Sequence, residues 1–66
     1  MTDIAMTVEL LGKPTSSQWQ KLKPLVEEAA AQLGHRTYEF HTYSDGCMFL
    51  ALCDEFDIKY LATVGD

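Results

Sequence analysis

The chain has 66 residues, a formal net charge of -5, 47% hydrophobic and 23% charged residues. That composition belongs to a globular domain rather than a disordered segment, and the length allows one small core that barely outweighs chain entropy. The acidic balance excludes the basic footprint that direct nucleic-acid binding needs, because displacing counterions from phosphates takes Lys and Arg.

The opening MTDIAMTVELLG has no basic n-region and no long apolar run, so neither a signal peptide nor a membrane span is expected, and cytoplasmic residence follows as the default. Ile4, Met6, Val8 and Leu10 alternate with Ala5, Thr7, Glu9 and Leu11, the period-two pattern of a strand with one buried face. Gly12, Lys13 and Pro14 break it. Thr15, Ser16 and Ser17 then offer N-cap oxygens, with Gln18 or Gln20 three residues on to complete a capping box.

Trp19, Leu22, Val26, Ala29 and Leu33 recur at helical spacing, Leu25 and Ala30 widen the stripe, and Gly34 supplies a stop. Pro24 opposes this, since an interior proline costs about 3 kcal/mol. The stripe stays in phase across it, which favours one kinked helix over a short turn followed by a helix from Pro24. Lys21 and Lys23 precede Glu27 and Glu28, against the helix dipole, a pattern expected of a merely solvated face.

The stretch YEFHTYSDGCMFLAL, residues 38–52, reads as a β-hairpin turning at Ser44, Asp45 and Gly46. A two-residue Asp-Gly turn leaves both faces mixed. A three-residue loop with Gly46 left-handed sorts them: Tyr38, Phe40, Thr42, Met48, Leu50 and Leu52 on one face, Glu39, His41, Tyr43, Cys47 and Phe49 on the other. Residues 58–64, IKYLATV, favour a fourth strand by their β-branched and aromatic content; a C-terminal helix capped by Asp54 is the competing reading. The expected fold class is α+β, one α-helix packed on a mostly antiparallel three- to four-stranded sheet in the order β-α-β-β-β, as a single domain.

Cys47 and Cys53, six apart on an extended strand, would stand roughly 20 Å from each other, beyond disulfide reach. With His35 and His41 they form a six-residue spacing, but zinc sites need three or four converging ligands at closer spacing, so no metal and no cofactor are expected. His41 beside Glu39 could form an acid-base pair and either cysteine a nucleophile. No catalytic motif occurs, however, and so small a domain encloses a pocket with difficulty, so the chain is read as no enzyme. The sheet face holding Tyr43 and Phe49 suits an interface, with a second copy or a partner, and both monomer and homodimer stay open.

Residues 1–36 sum to zero charge, so the whole net charge lies in residues 37–66. Asp54, Glu55 and Asp57 crowd one turn, with Glu39 and Asp45 nearby in sequence, and such a surface is attracted to a basic one. In size, in acidity and in the positions Asp45, Asp54, Glu55 and Asp57, the chain resembles small phage-encoded anti-CRISPR proteins. The resemblance implies a non-catalytic inhibitor that binds a basic, nucleic-acid-binding surface of a CRISPR effector and blocks target DNA. The contacts expected are Asp54, Glu55 and Asp57, then Glu39 and Asp45, with Tyr43 and Phe49 as anchors. The alternative is a small dimerising structural module.

Overall fold

The computed structural model describes residues 4–65; Asp3 and Asp66, which count in the charge of the two halves, lie outside them. Strand β1 spans Met6–Leu10, helix α1 Ser16–Ala29, strand β2 Ala30–Gln32, strand β3 Thr37–Phe40, helix α2 Tyr43–Glu55 and strand β4 Tyr60–Val64. The four strands form one sheet in the order β2-β3-β1-β4, every neighbouring pair antiparallel. The fold class is α+β. This element order and strand order are those of the split β-α-β, or ferredoxin-like, arrangement.

The first strand follows its alternation. Met6, Val8 and Leu10 are buried, and they pair across β1 with Phe40, Tyr38 and Tyr60. Thr7 and Glu9 point the other way, opposite Glu39 and Thr37. Thr15 caps α1 through a full capping box: its Oγ1 accepts from the Gln18 N–H (3.2 Å), and its own N–H donates to Gln18 Oε1 (3.0 Å). The helix runs unbroken past Pro24, which sits on the exposed side, where the carbonyl it deprives can turn to water.

The helix ends at Ala29, not Gly34. Ala30 is at once the C-cap, its N–H on Val26 O, and the first residue of β2, with extended backbone angles. Pairing of Ala30 with Phe40, Ala31 with Glu39 and Gln32 with Tyr38 overrides the weak strand propensity of Ala-Ala-Gln. Leu33, counted in the helical stripe by its spacing, is instead 58% exposed, and Gly34 belongs to a hairpin loop whose carbonyl accepts from Gln32 Nε2 (2.9 Å).

The larger correction is at residues 43–55, which form α2 rather than the second half of a hairpin. Thr42 caps it. Its Oγ1 accepts from the Asp45 N–H (3.2 Å) and donates to Asp45 Oδ2 (2.8 Å), so Asp45 is the acid of a T-x-x-D cap, not a turn residue. From there Gly46, Phe49 and Cys53 are buried at helical spacing, with Leu50, Leu52 and Phe56 packed beside them. Residues 60–64 are a strand, as favoured over a helix capped by Asp54.

Both helices cover one sheet face: Leu22 and Val26 of α1 and Phe49 and Cys53 of α2 share a core with Met6, Val8, Leu10, Tyr38, Phe40 and Ile58. A row of rings runs through it, Trp19 to Tyr38 (5.9 Å between centroids), Tyr38 to Phe49 (6.1 Å) and Phe49 to Phe40 (4.9 Å). Such tilted pairs add to the area they bury. Each strand side meets the helices only as closely as its side chains permit, and Gly46 marks the tightest approach. A Cβ there would lie 2.6 Å from Met6 Sδ and 3.0 Å from Met6 Cβ.

Gly46→Ala tests this approach. Alanine favours a helix interior by about 1 kcal/mol over glycine, yet the clash with β1 reverses the sign, and a net loss of about 1–2 kcal/mol in urea unfolding is expected. In the Gly46→Ala background, Met6→Ala should cost less than it does alone, a coupling of about 0.5 kcal/mol or more in the double-mutant cycle. Strict additivity would show that the two residues do not meet.

Candidate functional site

Antiparallel pairing brings three connections to one end of the sheet. Leu10 closes β1 beside Arg36, whose carbonyl accepts from its N–H (2.9 Å), and opposite Tyr60, while Leu11 N–H reaches Lys59 O (2.9 Å). Residues 11–15, 33–36 and 56–59 therefore lie together, along with the start of α1 and the end of α2. Lys13, Arg36, Asp54, Glu55, Asp57 and Lys59 stand in or beside these segments.

Asp54, Glu55 and Asp57 occupy the last turn and cap of α2, all exposed. The helix closes there as a Schellman motif: Ile58 N–H donates to Cys53 O (2.8 Å) and Asp57 N–H to Asp54 O (3.2 Å). Asp57 takes the left-handed position, φ 59°, usually left to glycine. The carbonyl end of α2 carries partial negative charge, so these carboxylates add to a field of their own sign. Asp54 Oδ1 accepts from the Tyr60 hydroxyl (3.0 Å), a neutral donor that leaves the charge in place; that bond, with burial and the charge of Asp54, holds the Tyr60 phenol above its ordinary value.

The other expected contacts do not join them. Asp45 is locked in the cap at the opposite end of α2, nine residues and about 13 Å away by helix rise. Glu39 lies half-buried on the uncovered sheet face, between Thr7 and Ala31. Tyr43 is 50% exposed at the first turn of α2, but Phe49 is 0% exposed in the core, so it anchors the fold and offers nothing to a partner. The hairpin reading had put Tyr43 and Phe49 on one face; the helical turn separates them.

The residues weighed for chemistry are similarly dispersed. Cys53 is 0% exposed, and burial, reinforced by Asp54, pushes its thiol up to about 11, so it stays protonated and poorly nucleophilic. Cys47 is half-buried, and both cysteines are free. His41 is exposed at the far end of β3. Among the described residues no group of three or more His, Cys, Asp or Glu is placed to hold a metal ion, and no helix is long and apolar enough to cross a membrane.

Beside the acidic cluster, over β1 and β3, the same end opens into a cleft of about 370 Å³ that sequence reasoning missed. Its walls are Trp19 from α1, Tyr38 from β3, and Lys13, His35 and Arg36 from two separate loops, over Leu10. Burial raises the Tyr38 phenol above its ordinary value, and the charge of Arg36 opposes part of that shift. Charge tallies by chain half hide this grouping, because Lys13 and Arg36 become neighbours only through the pairing of β1 with β3.

Comparison with protein-family models, with curated proteins and with solved structures finds no match to this chain.

The two thiols should differ in native protein. Cys47 is expected to react with a disulfide reagent about tenfold or more faster than Cys53, which should become available only on unfolding. An unfolded thiol ionises near 9 and the folded Cys53 near 11. Unfolding therefore releases protons in that window, and stability should fall as pH rises through it. A Cys53→Ala variant should lose that part of the alkaline slope, read from urea midpoints between the two values; an unchanged slope would contradict the burial of the thiol.

Proposed function

We propose that this protein acts by binding rather than by catalysis, docking its acidic end on a basic surface of another protein. The observation that carries the reading is the gathering of Asp54, Glu55 and Asp57 at the carbonyl end of α2, exposed on a rigid cap. A fixed anionic knob of this kind competes with nucleic acid for the same cations, and its pull extends about one Debye length, near 8 Å at physiological salt. The partner we propose, on the resemblance in size and charge, is the DNA-binding surface of a CRISPR effector, with the protein as its inhibitor. Tyr43 belongs to a different end of α2 and is left out of the contact set, as are Asp45 and Glu39.

The test is competition with target DNA on a panel of purified effector complexes, followed in a gel-shift assay. Wild-type protein should displace DNA, less strongly as salt rises. Reversal of Asp54, Glu55 and Asp57 to Lys should weaken displacement about tenfold or more with an unchanged circular dichroism spectrum. Asp57→Gly separates charge from fold: it relieves the left-handed aspartate, so stability should rise by about 1 kcal/mol while displacement still weakens. Undiminished displacement by the folded triple variant would overturn the docking surface, and no displacement by wild type on any effector would overturn the partner.

A second reading, a module that pairs with a second copy, has its own support. The sheet face away from the helices is uncovered, with Leu61 (56% exposed) on it opposite Glu9, and Leu11 and Leu33 (51% and 58%) just past β1 and β2. Sedimentation over a range of concentrations decides: a monomer throughout removes this reading, and a dimer that Leu61→Lys dissociates supports it.

A further inference from the structure

The cleft between α1 and the 33–36 loop has a composition unlike the rest of the molecule. The chain carries ten acidic residues against five Lys and Arg, yet among the described residues no carboxylate lines the cleft, while Lys13, Arg36 and His35 all do. Lys13 and Arg36 arrive from different loops, so their approach is a product of the fold and not of a basic run in the sequence. Two cations converging in a concavity without a counter-ion leave a place for an anion.

The walls say more about the ligand. Trp19 is half-buried and packs on Tyr38, giving a rigid aromatic side beside the cations. Tyr38 is only 5% exposed, and its ring borders the cleft. Flat rings beside guanidinium and ammonium groups suit a ligand with a π-face and an anionic tail. The volume lies at the low end of small-molecule sites, about 300–1,000 Å³, room for one nucleotide rather than a dinucleotide. The capping box already engages Thr15 and Gln18, so the helix start is not what makes the site.

We propose that this cleft binds a mononucleotide, its phosphate between Lys13 and Arg36 and its base against Trp19. The occupant is a free nucleotide and not a strand of nucleic acid, because Asp54, Glu55 and Asp57 flank the same end and repel a long polyanion. This site is independent of the acidic cap and uses no residue assigned to it.

The single tryptophan of the chain is a built-in reporter. Adenosine 5′-monophosphate should quench Trp19 fluorescence saturably with a Kd below about 1 mM. Lys13→Glu, at an exposed position, should weaken binding about tenfold or more, and Arg36→Gln similarly, both measured by calorimetry on protein with a wild-type circular dichroism spectrum. Adenosine and inorganic phosphate, each lacking one half of the ligand, should bind more weakly than the nucleotide. The proposal is overturned by absence of saturable binding up to about 10 mM, by unchanged affinity in Lys13→Glu, by phosphate binding as tightly as the nucleotide, or by a ten-residue oligothymidylate binding more tightly.

Discussion

The close approach of α2 to β1 is the constraint on which the remaining arrangement depends. Because Gly46 presents no side chain to Met6, the helix can settle low over the sheet, and Phe49 three residues on reaches both Tyr38 and Phe40. Cys53, one turn further, closes the core against Ile58, and the Schellman turn then delivers the chain to β4. Raising α2 by one methyl layer would pull Phe49 from the ring row, and Trp19 would lose the support of Tyr38 through that row. In a domain of 66 residues little else is available to take up such a loss.

The same helix shows why part of the fold was legible and part was not. β1 and α1 carry signals that agree at every level: strict alternation in one, cap, spacing and propensity in the other. Residues 38–52 carry signals that conflict. Asp45-Gly46 between apolar runs is a hairpin mark, while Thr42 and Asp45 before Gly46, Phe49 and Cys53 are a capping box opening an apolar stripe. Period two and period 3.6 both sort a short apolar run acceptably, so the better of two hairpin registers is still no evidence against a helix. The Thr42 cap was the local feature that could have separated them.

β2 was illegible for a different reason. Nothing in Ala-Ala-Gln prefers a strand, and Ala29 to Leu33 continues the helical phase; only the presence of β3 as a partner makes extension the better state. The candidate site inherits the first of these errors. Placing Phe49 on a surface followed from the hairpin, and gathering Asp45 with Asp54 followed from reading it as a loop residue. The cleft could not be read at all, since its two cations are brought together by long-range pairing.

Net charge is consequently a poor guide to this molecule's surface. The value of -5 argues against a broad basic footprint for a polyanion, but it is an average over the whole chain and hides an end that carries both signs. There Lys13 and Arg36 line the cleft with Leu10 of β1 and Tyr38 of β3, while Asp54, Glu55 and Asp57 stand at the end of α2 and in the turn that leads to β4. On the two proposals made above, a basic partner surface meets the acidic side and a small anion the basic one, and the two sets of residues do not overlap.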